Sequence, residues 1–233
     1  MITFNPLFFI VAFLAILTGQ FKNFINLISI ILFHELGHVL AGLYYKWKIK
    51  KIVILPFGGI TVFNEKINRP IKEEFVIAIT GPIFQIIYNH FFPNIYHYDL
   101  LLFNLLPIVP LDGSKILNLS LNKIFPFSLS HKITLLISLI FIIILLLSKR
   151  NFTYFLIVMF LAFKVIEEIK HHKYLINAFL YERYRYQFCF KKRKIIKNFN
   201  TMYRDCYHIF KINEKFETEK SVLKKRFDIN RRL

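Results

Sequence analysis

Long apolar blocks separated by short polar or basic connections fill roughly the first two thirds of the chain. They run from about Ile2 to Leu17, Phe24 to Tyr45, Glu74 to Phe92, Leu100 to Leu119, Lys132 to Ser148 and Phe152 to Phe163. Blocks of this length predict six transmembrane helices, so the expected fold class is an all-α polytopic membrane protein. The first block is short and spans with help from flanking Phe21 and Lys22. Only Thr18 to Asn23 joins it to the second, which predicts antiparallel neighbours. Between the second and third blocks the period changes. Lys51 to Phe63 holds two β-branched runs around Pro56-Phe57-Gly58-Gly59, the composition of a short β-hairpin. Its apolar character sets it against the membrane. There it is either an ordinary interfacial hairpin or an exposed strand edge that pairs with an extended peptide.

Two blocks carry helix breakers. Gly81-Pro82 predicts a kink in the third and room for another backbone to approach. In the fourth, Pro107, Pro110 and Asp112-Gly113 break the helix at membrane depth, where irregular backbone is tolerated only when buried in protein or lining a cavity. After Phe163 the pattern becomes that of an interfacial or domain-joining helix through about Phe188, then a small mixed region. The expected domains are therefore 1–163, a six-span unit, and 164–233, a basic cytoplasmic tail.

Charge orients the chain. The 233 residues are 55% hydrophobic yet carry a formal charge of +18. From Lys164 onward there are 19 Lys and Arg against 8 Asp and Glu, or +11, and lysines also crowd the segment after the second block. By the positive-inside rule both regions face the cytoplasm, as do both termini. The Lys149-Arg150-Asn151 turn is the exception. Cations beside spans answer to topology and anionic lipid, so the basicity does not call for nucleic acid. Met1-Ile2-Thr3 lacks a basic n-region, so the first block reads as a retained span rather than a signal peptide. Cys189 and Cys206 lack metal or disulfide spacing and read as reduced thiols.

The second block carries His34-Glu35-Leu36-Gly37-His38, an HExxH motif. Residues four apart share a helix face, so His34 and His38 aim two imidazoles at one metal while Glu35 lies on an adjacent edge. Ionisable groups inside an apolar span are costly and mark function, although a polar helix-packing triad without metal has the same composition. Asp112 is the candidate third ligand, since it lies at a depth similar to that of His34 when both spans are measured from their outer ends. Catalytic zinc keeps three protein ligands and an open position, and Glu35 is then the general base. Asn104 offers amide hydrogen bonds to a substrate or oxyanion, or else bridges two helices. His171 and His172 point to different faces of a helix and read as solvated.

Taken together, His34 to His38, the Leu55-Pro56-Phe57-Gly58-Gly59 hairpin, Gly81-Pro82 and Asn104 to Gly113 resemble the site-2 protease family of intramembrane zinc metalloproteases, and within it the compact sporulation members. The resemblance covers about Ile2 to Phe163. It implies that His34, His38 and Asp112 bind Zn2+, that Glu35 is the base, and that Asn104, Phe57, Gly58 and Gly59 contact substrate. It further implies a membrane-associated protein substrate such as a sigma-factor precursor, a membrane-protein inhibitor, and residence in the bilayer of a bacterial cell or around a forespore. Ser114 stands where many members have a second Gly, and the tail shows no clear nucleotide-sensing CBS domain. A catalytically silent scaffold would have lost a ligand or the base, and a metal transporter would show a ladder of polar residues; the four key residues are present and no such ladder is visible.

Overall fold

A strand, not a helix, begins the described chain. The computed structural model describes residues 2–55, 58–148, 152–186, 188–212 and 214–229. Ile2–Phe4 forms β1, and helix α1 starts only at Pro6, where proline's fixed φ and missing N–H suit a first turn, and ends at Leu17. The predicted first span is thus divided between a strand and a 12-residue helix. Two compact units follow from the contacts, residues 1–65 with 73–106, and residues 66–72 with 107–233.

In the first unit, α2 spans Phe21–Tyr44 and is followed by β2, Ile49–Leu55, and β3, Gly58–Phe63. The predicted hairpin is present. β2 pairs antiparallel with β3 on one side and parallel with β1 on the other, giving the order β1-β2-β3. Helix α2 stops because Lys46 adopts a left-handed φ of 58°. The N–H groups of Lys46 and Trp47 then bond back to the carbonyls of Leu43 and Gly42, a Schellman end. That turn delivers Trp47 onto Ala41 and Ile77, with its indole N–H donating to Glu73 at 2.9 Å. Helix α3, Ile71–Phe91, contains Pro82, and α4, His97–Asn104, closes the unit. The predicted Pro56-Phe57 turn lies outside the described residues.

The second unit holds α5, Asp112–Asn122, α6, Phe127–Leu147, and α7, Phe152–Arg185. The fourth predicted span is therefore broken between α4 and α5. The hydroxyl of Ser138 on α6 binds that break twice: it donates to Pro107 O at 3.0 Å and accepts from Val109 N–H at 3.3 Å. The predicted sixth span and the tail helix are one continuous 34-residue helix, α7. The Lys149-Arg150-Asn151 turn lies outside the described residues. Beyond α7 the small mixed region is β4, Lys192–Ile196, parallel to β5, Cys206–Ile212, which runs antiparallel to β6, Lys215–Thr218, with α8, Glu219–Ile229, packed on the sheet. Cys206, His208 and Phe210 alternate inward, and Phe210 joins Phe179, Leu180, Met202 and Leu223 in the core.

The helices are largely apolar outside. Phe9, Phe13 and Leu17 of α1, Leu136, Ile140 and Ile143 of α6, and Phe155, Met159 and Phe163 of α7 are exposed. Ser130, Thr134 and Ser138, one turn apart on α6, are buried instead, and the Thr134 hydroxyl returns to the Ser130 carbonyl of its own helix. A surface this apolar over a partly polar interior is the inverse of a water-soluble helix. Among the described residues α2 and α6 are long and apolar enough to cross a membrane. The chain is mostly helical, but two three-stranded sheets among the described residues replace the all-α expectation. The cationic segment of residues 192–196, which ends in Ile195-Ile196, and the alternation of residues 206–210 satisfy their backbone polar groups by pairing where the chain leaves the apolar blocks.

Candidate metal centre

His34, Glu35 and His38 fall on one buried stretch of α2, and their potential ligand atoms lie within 4.8 Å of one another. His34 Nε2 and His38 Nε2 are 3.2 Å apart. Helix α3 accounts for this aim. His38 Nδ1–H donates to the carbonyl of Ile77 at 2.7 Å, and because a carbonyl only accepts, the proton of a neutral ring is fixed on Nδ1 and the lone pair on Nε2. His34 Nδ1–H donates to Gln85 Oε1 at 2.9 Å, with the same result.

The two helices set these pairs up in antiparallel fashion: His34 meets Gln85, His38 meets Ile77, and Gly81 stands midway. A Cβ at Gly81 would overlap His38 Nε2 and lie 2.9 Å from His34 Nε2, so only glycine leaves the imidazoles their place. Gly37 gives the matching relief on α2, where a Cβ would meet Thr80 O at 2.5 Å. The expected close approach at Gly81-Pro82 is therefore real, but imidazole rings fill it. The donor set fits zinc. Two lone pairs 3.2 Å apart repel one another unless a cation lies between them, and two nitrogens on tetrahedral zinc are separated by about 3.3 Å.

Strand β3 covers the other side of Glu35. Gly59, Thr61 and Phe63 alternate toward α2. Thr61 Oγ–H donates to Glu35 Oε2 at 2.5 Å, Gly59 lacks the Cβ that would strike the Glu35 side chain, and the Phe63 ring fills the space above Gly42. Asn104, the last residue of α4, is buried, and its Oδ1 lies 3.9 Å from where a Gly58 Cβ would stand. Of the predicted substrate contacts, Gly58 and Asn104 are thus brought together and Gly59 lies against Glu35, while Phe57 is outside the described residues. Asp112 is in the second unit. It is buried, opens α5, where the helix dipole favours a carboxylate, and accepts from Lys115 Nζ at 3.0 Å. Away from this centre, His171 is exposed as expected, whereas His172 is half-buried and stacks on His131 with ring centroids 5.0 Å apart.

Sequence reasoning passed over Gln85 and Thr61. Gln85 had one legible signal, an amide four residues after Gly81 in an apolar stretch of helix. Thr61 had only its place two residues beyond Gly59.

Residues 23–98 match the model of Peptidase family M50. The chain is 36% identical over 201 residues to stage IV sporulation protein FB of Bacillus subtilis, covering 77% of this chain and 70% of that protein. It is 35% identical over 129 residues to a zinc metalloprotease of Methanocaldococcus jannaschii, covering 47% of this chain and 37% of that protein. Among solved structures, the site-2 protease from Methanocaldococcus jannaschii is similar at 31% identity and a TM-score of 0.52, covering 70% of this chain and 86% of that one.

Proposed function

The chain belongs to the site-2 protease family, peptidase family M50, and from that premise we propose that it hydrolyses a peptide bond in or near a membrane-associated segment of a regulatory protein. It is a zinc metalloprotease of the site-2 type. The observation that carries the reading is the pair of imidazole Nε2 atoms 3.2 Å apart with their Nδ1 atoms tied to acceptors and Glu35 alongside.

His34, His38 and Asp112 would hold the zinc. Bound there, zinc supplies Lewis acidity toward a carbonyl and makes water acidic enough to ionise near neutral pH. Glu35, oriented by Thr61, receives the proton from water and passes it to the leaving amine. The outer edge of β3 carries no strand among the described residues, so an extended substrate can pair along it, with Gly58 and Gly59 leaving space for its backbone. Asn104, beside Gly58, donates its amide hydrogens to the substrate carbonyl.

Six spans, with residues 1–163 as the membrane unit and 164–233 as a cytoplasmic tail, accommodate the exposed apolar faces of α1, α6 and α7. Both termini then face the cytoplasm. The similarity to stage IV sporulation protein FB supports a membrane-associated substrate such as a sigma-factor precursor. Co-expression with a membrane-tethered sigma-factor prosegment tests the reading. Wild type is expected to process it and Glu35→Gln, with zinc still bound, to leave it intact. Equal processing by both would remove Glu35 from its role.

A further inference from the structure

We infer that Gln85 is a positioning residue for the metal centre, holding His34 in the tautomer that ligates. The inference rests on the reading of His34 and His38 as ligands. Gln85 is 0% exposed, and its two amide atoms are oriented by different partners. Its Nε2 donates to the backbone carbonyl of His97, the first residue of α4, at 3.2 Å. A carbonyl has no hydrogen to give, so this bond fixes which way the amide faces. Oε1 must then face His34 Nδ1, and an amide oxygen only accepts. His34 is left with its proton on Nδ1 and its lone pair on Nε2, 3.2 Å from the Nε2 of His38. A backbone carbonyl at the start of α4 thereby determines the protonation pattern of a ring on α2, through one side chain of α3.

The two histidines are held differently. His38 takes its acceptor from the α3 backbone at Ile77, which no substitution removes. His34, one turn earlier on α2, lies opposite a part of α3 where a side chain supplies the acceptor. Of these two acceptors, the one that a substitution can remove is that of Gln85. Outer partners of this kind change metal affinity by about 10- to 100-fold when lost.

Zinc competition titration of the full chain in detergent micelles, read with a chromophoric chelator, separates the two amide bonds. Gln85→Leu removes both. Gln85→Glu retains an acceptor for His34 Nδ1–H and loses the donor to His97. The expected result is a loss of zinc affinity of about 10- to 100-fold in Gln85→Leu, with Gln85→Glu within about threefold of wild type. Equal loss in both variants would overturn the inference, because affinity would then follow the His97 bond. Wild-type affinity in Gln85→Leu would overturn it as well. His34→Ala and His38→Ala are measured alongside: if they bind zinc as wild type does, the ligand reading fails and takes this inference with it, whereas loss in both with wild-type binding by Gln85→Leu fails the inference alone.

Discussion

Thr61 on the edge strand donates its hydroxyl hydrogen to Glu35 on the HExxH helix, oxygen to oxygen at 2.5 Å. This length belongs to the short range of hydroxyl-to-carboxylate bonds, and it ties Glu35, the proposed base, to the strand proposed to receive an extended peptide. Removing the hydroxyl leaves Glu35 free to rotate. Thr61→Val is expected to lower kcat by about 10- to 100-fold while zinc affinity stays unchanged, and Thr61→Ser to recover most of the loss. Steady-state cleavage with metal analysis checks this. Unchanged kcat in Thr61→Val would show that the strand does not position the base.

Gly81 makes a sharper prediction, because the space it leaves open is occupied by both imidazoles. Gly81→Ala puts a methyl group against the nitrogens that face one another, and the rings must turn away. Zinc affinity is expected to fall by about 100-fold or more, with processing lost in parallel. Wild-type zinc binding by Gly81→Ala would mean that α3 yields enough to absorb the methyl.

Much of this centre was legible in the sequence because its geometry is local. His34 and His38 share a helix face by spacing alone, and the Lys51 to Phe63 hairpin followed from turn residues between β-branched runs. Gln85 and Thr61 were not legible, because each acts across elements and a lone polar residue reads equally well as a packing hydrogen bond. Within the tail, Arg183 and Glu219 sit in a basic segment whose pattern singles out neither, yet Arg183 is 6% exposed and Glu219 5%. Their partners lie as far off as Asn68, and no periodicity announces a contact across 115 positions.

Asn68 uses both ends of its side-chain amide. Its side chain accepts from Arg183 Nε at 2.7 Å and donates to Glu182 Oε2 and Phe179 O, while Arg204 donates to the neighbouring Arg69 carbonyl. Asn68→Ala leaves a buried guanidinium hydrogen without its amide acceptor, which costs about 2 to 3 kcal/mol. Urea unfolding in micelles is expected to show that loss, together with faster amide exchange across 66–72. A change under about 0.5 kcal/mol would show that water replaces the amide there.

The His208 and Glu219 pair predicts how the tail responds to acid. His208 Nε2 accepts from the Tyr203 N–H at 3.0 Å, so its proton is on Nδ1 and is given to Glu219 at 3.0 Å. Burial pushes the His208 imidazolium below its ordinary range, against the pull of the Glu219 carboxylate. Burial alone would raise Glu219, but the His208 hydrogen bond and the Arg183 charge outweigh it and hold the carboxyl low. Both groups therefore bind protons more weakly folded than unfolded. The stability they contribute is fully present above the unfolded imidazole value of about 6.5, and it is lost as pH falls through the folded values, first of His208 and then of Glu219. Amide exchange over 192–229, corrected for intrinsic rates, is expected to show protection falling steadily below about pH 6.5. Glu219→Gln leaves Arg183 buried without its carboxylate, and it is expected to lower protection by about 3 to 5 kcal/mol at pH 7 and to steepen the loss between pH 7 and 5, because His208 then lacks the carboxylate that offsets its burial. A protection profile that is level from pH 7 to 5 in the wild type would assign the tail's acid response to other groups.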